Sequence, residues 1–578
     1  MKQLNKYKKY LSAIIILLLG LVPIIWFWGK GNVLINGIDT NFPLNPLIWF
    51  TRRFYVWNNI LNGGADFSSS SAGLFFHMVQ VVPYLLRFKL QIVELVSLLF
   101  WFLLIVFSSY FLSRVILPKR FLPQLLFTLF YSFNIYLFNT WENVKVTNLS
   151  LAVGIPLFLG ILILLDKGKM TRKSGFFLSI FAGIVLSGTG INPSYFLSFF
   201  LVIFIYFLGS IIASPKARIA KLTNFLLVVF AVFLVNSFWI FPTLNYVIKG
   251  VPIGGSIDKL GFTNWVNSLS ENTGLFNVFR LQGAWDWYSV DGVTGLPLYI
   301  PYALNYFYRF PFIIFSLIAP ILAILSLVFR KKANNHLYLS FSIMLLVGVF
   351  LGAGTHLPTG TVFRFLLNHV PFFSLFRSPW YIFTPLVTLA YAGLIGLLFD
   401  YAFEYLQIKK QKIGRILLGL FGVILIIGNL LYCYPLITGK IFRPGRYDSF
   451  YVSFPEYTFN AAEWLRKDSD DKRIISYPDD EIENFKWGYR GIESILQLFT
   501  NREIVVSSLN APDSPVGRLV KEFYWRLKRQ ELDSALIIAG KLNASLIFEK
   551  KDQGSLSPPI PEGISRNFEF KKFGEWGF

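Results

Sequence analysis

Residues 1–43 read MKQLNKYKKYLSAIIILLLGLVPIIWFWGKGNVLINGIDTNFP, and the order of their parts decides the fold. Four lysines, Lys2, Lys6, Lys8 and Lys9, precede an apolar run at 11–28, close to the roughly 20 residues that cross the hydrocarbon of a bilayer. The run ends in Trp26, Phe27 and Trp28 without a small-residue cleavage site, so it is predicted to remain as an anchor rather than to leave as a signal peptide. Beyond it, Gly and Pro between Asn36 and Pro43 forbid regular structure and leave Asp39 on a loop just above the lipid.

Ten further apolar runs follow, at about 91–113, 121–138, 149–165, 175–187, 194–213, 223–241, 310–329, 337–351, 381–399 and 416–434. The runs at 175–187 and 337–351 are short, so the total of about eleven spans is good to one or two. A chain of 578 residues with 54% hydrophobic and 18% aromatic residues is too apolar for an ordinary soluble enzyme. The predicted class is therefore mainly α, a polytopic membrane protein.

The net charge of +22 suggests nucleic acid only until the basic residues are located. The N-terminus and the connections at 114–120, 166–174, 214–222, 330–336 and 400–415 hold 21 Lys/Arg and three acids in 58 residues. The alternate connections, at 29–90, 139–148, 188–193, 242–309 and 352–380, hold 12 Lys/Arg in 175 residues. Basic density differs about fivefold, which by the positive-inside rule makes the first set cytoplasmic and the second external. Residues beyond 437 then also lie outside, where 21 Lys/Arg balance 21 Asp/Glu and leave no nucleic-acid patch.

The large external segments are where work is predicted to be done. No ATP reaches that face and no Walker A sequence is present, so chemistry there needs a substrate that arrives activated. In loop 29–90, Asn45 and Pro46 suit the cap and first position of a helix whose apolar stripe is Leu47, Phe50, Phe54, Trp57 and Leu61, ended by Gly63-Gly64. Such a helix lies in the membrane interface. A second amphipathic stretch, Phe75–Phe88, has Pro83 to kink it and Arg87 and Lys89 at its end to reach phosphates.

Each candidate site residue has a structural alternative. Asp39 and Asp66 either present a carboxylate for acid–base chemistry or cap turns, the usual duty of Asp in such loops. Glu142, beside Trp141, is either a second acid at the interface or half of an exposed salt bridge with Lys145. Arg364 and Arg377, in apolar surroundings, either snorkel to headgroups or bind one phosphate, and Arg377 is the better placed because Pro379 fixes it just before a span. Trp285, Asp286, Trp287 and Tyr288 suit sugar stacking or an aromatic belt. His356 and His369 share the 352–380 loop but are too few to argue a metal, and Glu94 is an acid inside a span, near enough to its external end to be wet. One cysteine, Cys433, and no HExxH pair leave no metal site to name, although a divalent ion stays open.

Residues 438–578 alternate strand-like runs, Ile474–Tyr477, Glu503–Ser507 and Ser545–Phe548, with helical ones, Phe459–Arg466, Val516–Arg529 and Asp533–Lys541. They predict a C-terminal extracytoplasmic α/β domain after a transmembrane domain at 1–437.

The stretches Gly37–Pro43, Trp57-Asn58, Gly63-Gly64, Phe376–Pro379, Arg473–Pro478, Trp487–Gly491 and Leu542–Phe548 together resemble the GT-C class of polytopic glycosyltransferases. Within it they are similar to the bacterial group related to the mycobacterial alpha-arabinofuranosyltransferase GT-C domain and to YfhO-like membrane proteins. The resemblance runs over nearly the whole chain, with the order of features more telling than any one motif. It implies transfer of a sugar from a polyprenyl-phosphate donor in the lipid bilayer to an external glycan or lipid acceptor. By this resemblance Asp39 is the general base; Arg377, with Arg364 or Lys145 in support, would then stabilise the departing phosphate, while Glu142, Asp66 and Trp57 stand as acceptor-side or second-acid candidates and Trp285, Asp286 and Trp287 as sugar-stacking candidates. A single displacement inverts the anomeric centre. The characterised arabinosyl enzymes are much longer, so sugar and acceptor identity do not carry over. A transporter or flippase of lipid-linked glycans and a non-catalytic assembly protein are the alternatives; the sequence shows neither a clear internal repeat nor a mid-span charge to favour transport.

Overall fold

The computed structural model describes the chain apart from residues 1, 28–30, 32, 38–39, 41, 143, 249–258, 332–333, 444–448, 468–471, 481, 493, 508–514 and 555–568. Among the described residues, 10 helices are long and apolar enough to cross a membrane, and a bent pair brings the number to 11. All eleven predicted runs fall on these elements. The short run at 175–187 extends in the structure to Arg172–Ile191, and that at 337–351 to Asn335–Gly352.

The bent pair shows how one residue breaks a span. Phe121–Ser132 and Ile135–Trp141 meet at 47°. Between them Asn134 is extended, its Oδ1 accepts from the Leu137 N–H at 2.9 Å, and its Nδ2 donates to the Tyr131 carbonyl at 2.7 Å. The same side chain thus caps the end of one helix and the start of the next, which supplies the backbone partners lost at the break.

The chain divides into two compact units that interleave along the sequence: Met1–Trp28, Ser97–Phe238 and Lys259–Ile441 form one, and Gly29–Val96, Trp239–Asp258 and Phe442–Phe578 the other. The first large loop therefore groups with the tail, whereas the sequence reading kept it with residues 1–437.

In the first unit the 30-residue helix Pro379–Ile408 is almost wholly buried and packs against Asn335–Gly352, Phe121–Ser132 and Phe310–Val328. Its glycines let large neighbours approach: a side chain at Gly393 would strike the Phe341 ring.

In the second unit a five-stranded sheet runs Lys572–Phe573, Trp576–Gly577, Ala544–Lys550, Arg473–Tyr477, Ile504–Val505. Arg473–Tyr477 is parallel to both of its neighbours, and Trp576–Gly577 is antiparallel to Ala544–Lys550. Strand alternation sends Ile474 and Ile504 to one core and Ile475 and Val505 to the other. The second core is covered by the helices Pro515–Lys528 and Leu532–Lys541, and the first by Phe42, Leu44, Trp49, Ile60 and Leu61 of the first loop. The loop also extends the sheet: the Ile504 N–H donates to the Ile60 carbonyl at 2.7 Å, and the Asn62 N–H to the Ile504 carbonyl at 2.8 Å. The predicted strands and helices of the tail are all found, within a few residues.

Two expectations, one for loop 29–90 and one for the span that follows it, need correction. The interfacial helix, capped by Asn45 as predicted, spans only Pro46–Arg52 rather than reaching Gly63-Gly64. Arg52 is fixed by the Gln497 and Thr500 carbonyls and by Asn501, and beyond it Trp57-Asn58 pairs with Ala65-Asp66 as a hairpin. The aromatic and β-branched run Phe54–Trp57 suits that extended course better than a continued helix. Glu94, expected to be wet, is buried, and its carboxylate accepts from the Ile35 N–H at 2.9 and 3.2 Å.

Candidate active site

The polar residues of the first unit converge on the Tyr381 hydroxyl. Tyr381 stands in the first turn of Pro379–Ile408, and its hydroxyl donates to Asp286 Oδ2 at 3.0 Å while accepting from Asn139 Nδ2 at 3.0 Å. Asn139 Nδ2 also approaches Asp286 Oδ2 at 3.4 Å, and its Oδ1 accepts from the Trp287 indole N–H at 2.7 Å. The Tyr136 hydroxyl donates to the Tyr381 carbonyl at 2.9 Å and accepts from Asn148 Nδ2 at 3.0 Å. Lys145, at the start of the Val146–Asp166 helix, holds its ammonium 5.4 Å from the Tyr381 ring centroid. Glu142 lies within electrostatic reach of the same hydroxyl.

This network ties together four of the predicted residues, Glu142, Lys145, Asp286 and Trp287, through Asn139 and Tyr381, to which the sequence reading gave no role. Glu142 is only 2% exposed, buried rather than solvated as its alternative supposed. The two tryptophans part company. Trp287, 1% exposed, packs against Phe138, Tyr302 and Tyr306. Trp285 is 36% exposed and edge-on to Tyr299.

The other cations occupy separate settings. Arg377 is half-buried, with its guanidinium carbon 4.9 Å from the Trp265 ring centroid; burial pulls its pKa below the ordinary arginine value, opposed by the nearby Tyr195. Arg364 donates to the Thr355 carbonyl at 3.1 Å and lines an open cleft of about 490 Å³ with Glu271, His356, Asn267 and Ser270. His369 stacks on Phe365 and meets its carbonyl at 2.9 Å, at the end of its own helix. Among the described residues no group of three or more His, Cys, Asp or Glu is placed to hold a metal ion.

In the second unit Asp39 itself lies outside the described residues, but its surroundings do not. Gly37 and Thr40, which flank it, exchange backbone hydrogen bonds of 3.0 and 2.7 Å. Leu34-Ile35 pairs with Tyr451-Val452, and Asn36 donates through its backbone N–H to Phe450 and through Nδ2 to the Phe42 carbonyl. Gly37, with φ +138°, lies so close to the Phe450 ring and the Arg490 carbonyl that a Cβ would sit 3.1 and 3.2 Å from them. The Trp487–Gly491 segment of the tail therefore braces the Asp39 loop, a role its position 450 residues downstream hides in the sequence. Two buried oxygens of the same stretch, Asn36 Oδ1 and Thr40 Oγ1, have no hydrogen-bond partner among the described residues.

Asp66 takes the turn-capping alternative: its Oδ1 accepts from the Ser68 N–H at 2.8 Å and from the Ser68 hydroxyl. Trp57 pairs with it in the hairpin register and packs over Gly64, whose φ of +106° and missing side chain the contact requires.

Ten or eleven candidate spans among the described residues, most of them wholly in the first unit, and a mixed α/β unit that includes the first loop and the tail define a mainly helical, multi-pass membrane protein. Residues 39–510 match the family described as alpha-(1->3)-arabinofuranosyltransferase, N-terminal GT-C domain, and the chain belongs to that GT-C glycosyltransferase family. The structure is similar to that of the arabinofuranosyltransferase AftD from Mycobacteria, with TM-score 0.61 and 15% identity, covering 95% of this chain and 35% of that one. A mutant of the same enzyme gives TM-score 0.60 and 15% identity, covering 95% and 37%. This chain thus spans about a third of the length of those enzymes. The oligosaccharyltransferase of Archaeoglobus fulgidus superposes at TM-score 0.41 and 12% identity, over 93% of this chain and 68% of that one. No curated protein matches at a significant level.

Proposed function

We propose that this protein transfers a sugar from a polyprenyl-phosphate donor to an extracytoplasmic glycan or lipid acceptor, inverting the anomeric centre. The observation that carries the reading is the GT-C family match over residues 39–510. The N-terminus and the basic connections lie in the cytoplasm, so the ends of the Val146–Asp166 and Pro379–Ile408 helices that bear Lys145 and Tyr381 face outward.

Asp39 is the general base. It takes the proton of an acceptor hydroxyl as the oxygen bonds to the anomeric carbon and the bond from that carbon to phosphate oxygen breaks. Arg377 meets the departing phosphate, aided by Lys145 or Arg364. The buried acids Glu142 and Asp286 keep Lys145 and Tyr381 in place, and Trp285 offers its exposed face to a sugar. The printed name of the family makes an arabinofuranosyl donor the first to test.

The assay uses detergent-solubilised protein and a radiolabelled polyprenyl-phosphoryl sugar. A micelle has no two sides, so an enzyme still forms product and a flippase does none. Label appearing in the acceptor with inverted configuration is expected; no transfer with any lipid-phosphate donor would reject the reading.

A further inference from the structure

A second cationic cluster, with no acid in it, lies within the second unit. Trp49 of Pro46–Arg52 and His77 of Leu74–Leu85 meet edge-to-face at 6.3 Å, and the Arg53 guanidinium carbon is 5.5 Å from the Trp49 ring centroid. Arg52 approaches the same ring at 5.4 Å, but its nitrogens are committed to the Gln497 and Thr500 carbonyls and to Asn501. Arg53 has no such set: one terminal nitrogen donates to the Ser70 carbonyl at 3.3 Å. Its Nε, the Trp49 Nε1 and the His77 Nε2 are all buried and have no hydrogen-bond partner among the described residues. His77 is 4% and Trp49 8% exposed, so water does not serve them freely.

Buried donors and charge left unserved are costly, and a cluster of them marks a place where a complementary group belongs. Burial pulls Arg53 down to about 10 and Arg52 to about 9, the second helped by Arg53, so each guanidinium stays charged, with no carboxylate beside it among the described residues. The missing group is therefore an anion. Its source is indicated by the surface beside these elements, where Phe54, Tyr55, Met78, Val82 and Leu85 expose their side chains. Apolar exposure on that scale beside buried, unserved donors belongs at a lipid interface.

We propose that Trp49, Arg53 and His77 bind the phosphate of an anionic membrane lipid. The phosphate oxygens accept from Arg53 Nε–H and Trp49 Nε1–H, and the anion's charge favours the imidazolium, which lets His77 donate through Nε2 while Nδ1 stays on Gln80 at 3.0 Å. The lipid chains cover the exposed apolar side chains. The site is independent of which residue serves as the base in transfer.

Native mass spectrometry of the full chain in detergent, titrated with phosphatidylglycerol, tests it. Diacylglycerol, with the same tails and no phosphate, and inorganic phosphate, with no tails, are the two controls. One tightly held phosphatidylglycerol is expected, with diacylglycerol at least about tenfold weaker and inorganic phosphate unable to displace it at equal concentration. Arg53→Gln is expected to weaken binding about tenfold, and Trp49→Phe, which keeps the ring and removes only its N–H, to weaken it severalfold at unchanged melting temperature. If Arg53→Gln fails to fold, Trp49→Phe alone decides. Equal binding of diacylglycerol, full displacement by inorganic phosphate, or undiminished binding by the folded variants would each overturn the proposal.

Discussion

The Tyr381 hydroxyl donates to the Asp286 carboxylate across 3.0 Å, which fixes the first turn of a buried membrane helix to a loop nearly a hundred residues earlier. Asn139 completes the arrangement by donating to both partners and accepting from Trp287. Three segments distant in sequence thus share one buried polar network, where the low local dielectric strengthens each hydrogen bond and makes each lost partner costly.

Tyr381→Phe removes the hydroxyl and leaves the buried carboxylate one donor short. We expect a loss of about 1–3 kcal/mol in stability, read as a lower melting temperature in detergent, with the helical content of the folded protein unchanged.

The phosphate role of Arg377 gives a kinetic prediction. Arg377→Gln is expected to lower the rate of transfer about 10²–10³-fold, because the interaction forms as charge develops on the leaving phosphate. Initial rates at saturating donor measure it, and a change confined to KM would assign Arg377 to ground-state binding alone.

In the second unit Lys550 and Glu483 form a fully buried ion pair, supported by the Ile495 N–H, the Ser476 hydroxyl and the Pro478 carbonyl. Lys550→Met leaves a buried carboxylate uncompensated and is expected to cost about 3–5 kcal/mol. Pairing it with Glu483→Leu should recover most of that loss. Chemical denaturation of the single and double variants makes the comparison.

His77 gives a pH dependence. Burial first, then the Arg53 charge, hold its pKa well below 6.5, so the unfolded chain binds a proton near 6.5 that the folded protein refuses. Its contribution to stability is therefore present above pH 6.5 and is lost as the pH falls below it. Without anionic lipid, melting temperature should decline from about pH 6.5 downward, and His77→Gln should flatten that decline.

Topology is open to direct labelling, because the native Cys433 is buried. Val293, 96% exposed, lies in a segment assigned outside, and Lys410 in a basic connection assigned inside. In intact cells an impermeant maleimide should react with Val293→Cys and spare Lys410→Cys until the membrane is opened.

Much of this was legible in the sequence because hydropathy and strand alternation are local properties. The runs at 121–138 and 381–399 declare themselves in isolation, as do Ile474–Tyr477 and its neighbours in the tail. What stayed hidden depends on partners far along the chain. The helix after Asn45 stops at Arg52 because carbonyls at 497 and 500 hold that guanidinium, and the pattern Phe54, Trp57, Leu61 continues a helical spacing that the backbone does not follow. Trp287 reads as a surface ring until Phe138 and Tyr306 are seen to enclose it. Asn139 and Tyr381 are unremarkable letters that acquire a role only where Asp286 meets them.

Asp39 is the centre of the account, and the rate of polyprenyl-phosphate release from a polyprenyl-phosphoryl sugar, with acceptor present, tests it most directly. Asp39→Asn keeps the shape and removes the base, so at equal donor binding and equal folded protein the rate should fall about 10²–10⁴-fold. A rate equal to that of the unaltered protein would contradict the account.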